Sequence, residues 1–181
     1  MKPKKIMTLV VSRENSSSLV HSARTTTAAV ASLLVARLLR MPEGYWASIT
    51  ALIVMQSTFG AALSISAQRF IGTAVGALLG ALAATYFQHN VAVYGTLVFL
   101  IGLLCAVLRI DRTAYRYASI TLAVVMLIPR TVGPWTAAGH RFVEVSTGII
   151  VALVIAAAWP ERLSVTKTIS AQASIPAETG S

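Results

Sequence analysis

Two arginines lie inside apolar stretches of the sequence, where a charged side chain is costly and usually functional. Arg69 comes a turn or two into one apolar run, and Arg141 takes a similar place in a later run. The guanidinium group presents a planar fork of donors that matches a carboxylate. The pair could therefore bind an organic anion, or each arginine could extend to the lipid headgroups and only anchor its helix.

One carboxylate, Glu144, lies within the predicted helices, whereas the other five acidic residues fall in loops or tails. Glu144 follows Arg141 by three residues, which places both side chains on one face of a helix. Pairing with that arginine is the simpler role. Glu144 is also the best candidate for a residue that carries a proton across a membrane, because ionisable groups at that depth commonly form proton relays.

Uncharged polar residues and glycines complete the candidate set. Gln56, Thr50 and Thr121 could hydrogen-bond a substrate, although a bond to a neighbouring helix is the commoner role. The glycines with helix-packing spacing are Gly72, Gly76, Gly80 and, in the later run, Gly148. The first three are four residues apart and share one helical face, so they predict the close approach of another backbone, within the protomer or between protomers.

The sequence lacks the usual signatures of an enzyme or a metal site. No glycine-rich loop precedes a lysine, as ATP hydrolysis would require. The three histidines and the single cysteine, Cys105, are too dispersed to match the spacing of metal ligands. No serine, histidine and carboxylate are placed as a catalytic triad. We therefore expect no catalysis, no cofactor and no metal.

The composition indicates an integral membrane protein. Of the 181 residues, 56% are hydrophobic and 12% are charged, whereas soluble domains average about 25% charged residues. The apolar runs are long enough to cross a bilayer. The net charge of +9 does not predict nucleic-acid binding, because the basic residues lie between and beside the apolar runs, where they orient a membrane protein.

The apolar runs predict six transmembrane helices within a domain of residues 18–160. Their expected spans are 18–39, 45–58, 62–87, 91–108, 114–128 and 137–159. The pair Phe59 and Gly60 is expected to end the second helix. Residues 1–17 are expected to form a basic, mobile cytoplasmic arm, and residues 161–181 a disordered cytoplasmic tail.

An internal repeat relates the two halves of this domain. The word Ala-Ser-Ile-Thr occurs at 47–50 and again at 118–121, and Arg-Phe follows at 69–70 and at 141–142. Chance matching among small apolar residues is the alternative explanation. Each unit, about 18–88 and 91–160, has three helices, so the second is inverted, as in many secondary transporters. We then expect Arg69 at the cytoplasmic mouth and Arg141 at the external mouth.

The distribution of basic residues predicts the orientation of the protein. Eleven lysines and arginines fall on the side that holds both termini, and four fall on the other side. Loops rich in lysine and arginine stay in the cytoplasm. Both termini are therefore expected to be cytoplasmic.

Several of these residues together resemble the fusaric acid resistance and aromatic acid exporter family. The resemblance is carried by Gly-Tyr-Trp-Ala at 44–47, Thr-Ala at 50–51, Gln56, Phe-Gly at 59–60, Arg69 and Gly-Thr at 72–73. Arg141, Glu144, Gly148 and Trp-Pro at 159–160 fit the sixth helix of the family. The plant aluminium-activated malate channels resemble the same six-helix unit.

The resemblance implies export of aromatic or other organic acids across a bacterial inner membrane. Larger exporters of the family carry two such units and a soluble domain and work with a periplasmic adaptor, whereas this sequence holds one unit. A homodimer is expected, because two-fold pairs are the commonest oligomers. The alternatives are an anion channel of the same fold and a membrane scaffold or accessory subunit that transports nothing.

Overall fold

The computed structural model is entirely helical in the residues that it describes, namely 3–55, 58–87, 90–107, 112–129 and 131–159, with side chains described from Leu19 onward. The helices are α1 (Pro3–Leu38), α2 (Tyr45–Val54), α3 (Phe59–Phe87), α4 (Val91–Val107), α5 (Arg112–Leu127) and α6 (Pro134–Ala158). No strand occurs in these ranges, which confirms the all-α class. Gln56 and the predicted tail lie outside the described residues.

Among the described residues, three helical segments are long and apolar enough to cross a membrane. They are Leu19–Leu38 within α1, Phe59–Phe87 and Pro134–Ala158. Helices α2 and α4 are apolar but shorter, with 10 and 17 residues, and α5 carries Arg112 and Arg116 in its first turns. Many large apolar side chains on these helices are exposed, as expected of surfaces that face lipid rather than water. The chain is a membrane protein.

Helix α1 begins at Pro3, far earlier than the expected start at residue 18. The segment expected to be a mobile arm is thus continuous with the first helix. The sequence explains this, because between Pro3 and Pro42 it contains neither proline nor glycine, the two residues that disfavour a helix interior most strongly.

The expected break at Phe59 and Gly60 is wrong, since both residues belong to the first turn of α3. Helix α2 instead ends at Val54, and Met55 takes an extended backbone conformation with φ −69° and ψ 99°. Glycine is tolerated in the first turn of a helix when the following residues are good helix formers, and Ala61 and Ala62 supply that preference here.

Polar residues define the starts of the later helices. Asn90 caps α4, because its side-chain oxygen accepts hydrogen bonds from the N–H groups of Ala92 at 2.9 Å and Val93 at 3.3 Å. Helix α6 begins at Pro134 directly after Gly133. Proline is favoured at this first position because its missing N–H would be unpaired there in any case.

Helices α3 and α6 occupy the centre of the bundle, and each is packed closely by one short helix. Helix α5 packs on α3, and α2 packs on α6. The contacts form at glycines: Gly76 lies against Ala118 and Thr121, and Gly148 lies against Ala47 and Thr50. Gly72 and Gly80 extend the first contact along α5. We call these two glycine contacts the α3–α5 and α2–α6 contacts.

The turn between α1 and α2 places Arg40 in a backbone conformation that favours glycine, with φ 52°. The N–H of Arg40 donates to the carbonyl of Arg37 at 2.9 Å, and the N–H of Met41 donates to that of Ala36 at 3.0 Å. This is the Schellman pattern of a helix C-terminus. A residue other than glycine costs about 1–2 kcal/mol in this conformation, so the turn holds Arg40 against its preference.

Alanine at Gly76 or at Gly148 should lower the stability of the protein. A Cβ at Gly76 would lie 2.9 Å from Thr121 Cβ, and one at Gly148 would lie 2.7 Å from Thr50 Cβ, closer than such atoms come in folded proteins. Overpacking of this kind costs about 1–3 kcal/mol. The thermal midpoint of the purified protein in detergent should therefore fall by several degrees in each variant.

Gly139→Ala is the matched control, because a Cβ at this exposed position of α6 meets nothing within 4 Å. Its midpoint should equal or exceed that of the wild type, since alanine favours a helix over glycine. Equal midpoints for all three variants would show that the two contacts tolerate a side chain.

Candidate functional site

Arg69 is buried in the bundle, with 4% of its surface exposed. Its Nε and Nη2 both donate to Thr50 Oγ1, at 3.1 and 3.0 Å. Its Cζ lies 4.8 Å from the centroid of the Tyr117 ring, within the range of a cation–π interaction. One hydroxyl and one aromatic face thus hold the Arg69 guanidinium in place.

Arg141 is buried further, with 1% of its surface exposed, and its Cζ lies 3.3 Å from the centroid of the Trp46 ring. Its Nε and Nη1 have no hydrogen-bond partner among the described residues. Buried donors of this kind are normally satisfied. Two donors of the Arg141 guanidinium are therefore buried without an acceptor among the described residues.

Glu144 does not supply that acceptor. It is 1% exposed, and its Oε1 accepts a hydrogen bond from the backbone N–H of Glu43 at 2.9 Å. Its Oε2 has no hydrogen-bond partner in the described part of the chain. Arg141 Nε, Arg141 Nη1 and Glu144 Oε2 therefore do not take part in the expected pairing of Arg141 with Glu144. The Glu144 carboxylate binds the α1–α2 turn instead.

An aromatic contact brings the two arginine-bearing turns together. The rings of Phe70 and Phe142 lie 5.0 Å apart between centroids, tilted by 56°, and each phenylalanine directly follows one of the arginines. The expectation that Arg69 and Arg141 lie at opposite mouths is therefore wrong. Because α3 and α6 cross at these phenylalanines, the two arginines lie on neighbouring turns.

The two predicted threonines occupy similar places but make different bonds. Thr50 faces Gly148 and accepts both bonds from Arg69, whereas Thr121 faces Gly76. Thr121 accepts nothing from Nε or Nη1 of Arg141. The arrangement around the two arginines is therefore similar in its residues and unequal in its hydrogen bonds.

A cleft of about 360 Å³ opens between the α1–α2 turn and the first half of α6. Its lining residues are Leu39, Arg40, Met41, Pro42, His140, Val143 and Glu144. Of the predicted site residues, only Glu144 reaches this cleft. The described residues hold no cluster of His, Cys, Asp or Glu side chains suited to a metal ion.

Three residues that the structure buries or places at the site were not among the predicted site residues. They include Trp46 and Tyr117, whose rings lie against Arg141 and Arg69. The repeat offset of 71 residues connects these two positions and could have revealed them. The third is Arg24, which is 1% exposed; its place within the span Leu19–Leu38 was the available signal.

Thr50→Val should destabilise the protein by about 1–3 kcal/mol, because Nε and Nη2 of Arg69 would stay buried without that acceptor. Thr121→Val is the matched control. It makes the same change of shape at an equally buried position that accepts nothing from Nε or Nη1 of Arg141. Unfolding of both variants by denaturant, followed by tryptophan fluorescence, measures the difference. Equal losses would mean that the Arg69–Thr50 bonds contribute nothing.

The buried arginines among apolar helices define an α-helical membrane protein whose polar groups meet where its two central helices cross. The fusaric acid resistance protein-like family matches residues 29–155, and the chain belongs to this family. Inner membrane protein YeeA of Escherichia coli (strain K12) is 24% identical over 146 residues, which make up 80% of this chain and 42% of that protein. The chain thus spans less than half of the length of this curated relative. No solved structure matches the chain.

Proposed function

We propose that this protein is a secondary transporter that exports organic acids, aromatic acids among them, across the bacterial inner membrane. The observation that carries the proposal is the buried Arg141 guanidinium, which rests on Trp46 and keeps Nε and Nη1 without a partner. A carboxylate satisfies such donors, and the indole face suits the apolar body of an aromatic acid. Membership of the family supports a transport role.

Charge strengthens this argument. A carboxylate about 4 Å from a guanidinium gains about 4 kcal/mol at an effective dielectric near 20, against about 1 kcal/mol in water. The second guanidinium, Arg69, lies on a neighbouring turn and adds to the attraction. Thr50, Thr121 and Gln56 are the uncharged residues that we propose for the rest of the substrate path; Gln56 lies outside the described residues.

The inverted repeat remains part of the proposal, and matched contacts support it. Trp46 and Tyr117, related by the offset of 71, hold Arg141 and Arg69. Ala47 and Ala118, related by the same offset, contact Gly148 and Gly76. In an alternating-access cycle the two halves exchange roles. In the other state we expect Thr121 to bind Arg141, while Arg69 leaves Thr50 and accepts the substrate.

The membrane arrangement completes the proposal. Six helices cross the bilayer with both termini in the cytoplasm, two copies assemble as a homodimer, and a periplasmic adaptor carries the acid onward. Reporter tags in the segment between α4 and α5 test the orientation, which fails if that segment scores as external. Native mass spectrometry from lipid nanodiscs tests the dimer, which fails if only monomers appear.

Substitution of the arginines should separate charge from geometry. In proteoliposomes that contain 4-methylbenzoate, Arg141→Gln should lose most of the efflux, and Arg141→Lys should keep part of it, because lysine retains the charge but not the planar fork. The same order is expected for Arg69→Gln and Arg69→Lys. Arg37→Gln, at an exposed position of α1, is the control and should transport normally.

All variants must accumulate at wild-type levels for this comparison. Wild-type efflux by Arg141→Gln and Arg69→Gln would show that the arginines only anchor their helices. Failure of both to accumulate, in lysine and glutamine forms alike, would show that they are structural.

Glu144 is the proposed proton carrier. An imposed proton gradient should stimulate efflux by the wild type but not by Glu144→Gln, whose amide cannot take up or release the proton. Glu43→Gln is the matched control, because it keeps the backbone N–H that binds Glu144 Oε1. Equal stimulation of Glu144→Gln and the wild type would assign coupling to another group.

The alternatives differ in what they predict. An anion channel of this fold would give flux that is independent of a proton gradient. A scaffold or accessory subunit would give none and would co-purify with a larger complex. A scaffold could use the glycine face to bind another protein, but Gly72, Gly76 and Gly80 pack against α5 within the protomer. This contact favours transport over the scaffold.

A further inference from the structure

The cleft beside the α1–α2 turn has the features of a second binding site. Its volume of about 360 Å³ falls in the range of small-molecule pockets, about 300–1,000 Å³. Its walls combine apolar side chains, among them Leu39 and Val143, with charged groups of both signs. Arg141 is not among the lining residues, so the cleft is distinct from the guanidinium site on Trp46.

Glu144 supplies the negative pole of the cleft. The side chain is almost completely buried, and Oε1 is occupied by the backbone N–H of Glu43. Oε2 accepts no hydrogen bond from the described residues. An ionised carboxylate oxygen that is buried without a donor is costly, so a ligand that brings an N–H donor relieves this cost.

Arg40 supplies the positive pole from the α1–α2 turn, and His140 lines the cleft from α6. The left-handed backbone at Arg40 holds an arginine where glycine is preferred. Strain of this kind persists at positions where the side chain has a use. In the cleft that use is a cation placed across from a carboxylate, so the site is unsuited to a purely anionic or a purely cationic ligand.

We propose that this cleft binds a zwitterion, with the ligand's ammonium on Glu144 and its acid group on Arg40. An amino acid-like solute and the headgroup of phosphatidylethanolamine share this chemistry. The binding itself does not depend on the transport function proposed above. Failure of the transport proposal can be told from failure of the cleft proposal. Transport is measured by the efflux of 4-methylbenzoate, and occupation of the cleft is measured by equilibrium binding.

Three probes of one shape test the site. They are 4-(aminomethyl)benzoate, which carries both charges, 4-methylbenzoate, which carries the acid, and 4-methylbenzylamine, which carries the amine. In phosphatidylcholine nanodiscs the zwitterion should bind at least about tenfold more tightly than either single-charge probe, since each charge-assisted hydrogen bond contributes separately. Trp46 reports binding in a Trp135→Phe, Trp159→Phe, Arg141→Gln background, because its Nε1 donates to Glu43 Oε2 at 3.1 Å next to Glu144, and the loss of Arg141 removes the guanidinium site on Trp46.

Two variants remove one pole each. Glu144→Gln should abolish the advantage of the zwitterion over 4-methylbenzoate, and Arg40→Gly should abolish its advantage over 4-methylbenzylamine. Arg40→Gly also relieves the left-handed strain, so its thermal midpoint should equal or exceed that of the wild type. Arg37→Gln, on the exposed end of α1 outside the cleft, should bind all three probes as the wild type does.

Nanodiscs that also contain phosphatidylethanolamine distinguish the two sources of the ligand. If this lipid displaces 4-(aminomethyl)benzoate, the headgroup is the ligand in the membrane; if it does not, a soluble zwitterion is. Either result supports the proposal only if the zwitterion binds more tightly than the two probes that carry a single charge. Equal affinity of the wild type for the three probes, or an unchanged preference in Glu144→Gln and Arg40→Gly, would overturn the proposal.

Discussion

The structure depends on burying the guanidinium groups of Arg69 and Arg141 in an apolar bundle, where no described residue forms an ion pair with either. A guanidinium has five donors and cannot be neutralised by losing its proton, so its neighbours must satisfy it by other means. Aromatic faces stabilise the charge of both arginines, and the Thr50 hydroxyl accepts hydrogen bonds from Arg69, whereas Nε and Nη1 of Arg141 have no partner among the described residues. The helices must approach closely to bring those groups into range, and the glycines permit that approach.

The helical repeat connects the packing to the chemistry. Thr50 follows Trp46 by four residues and Ala47 by three, so its side chain lies on the same side of α2 as each of theirs. This side of α2 meets Gly148 through Ala47 and Thr50, and Arg141 through Trp46. Loss of the close contact would move the indole and the hydroxyl away from the arginines together.

The sequence was sufficient to predict the features that follow from hydrophobicity and short-range spacing. The all-α class, most helix ends after residue 39 to within a few residues, and the family follow from apolar runs, breakers and local motifs. The mutual position of Arg69 and Arg141 did not follow, because it is set by the crossing of α3 and α6 at Phe70 and Phe142. The orientation of the Glu144 side chain was not predictable either, since its Oε1 accepts a hydrogen bond from the backbone N–H of Glu43, 101 positions away.

The glycine contacts have a mechanical consequence. Where the side chains of two packed helices interdigitate, one helix cannot slide along the other unless a side chain leaves its groove. At the α3–α5 and α2–α6 contacts, Gly76 and Gly148 offer bare backbone to the facing helix. Such smooth surfaces allow small sliding displacements of packed helices, the shear motion by which many proteins change shape. The packing therefore allows α5 to slide along α3 and α2 to slide along α6.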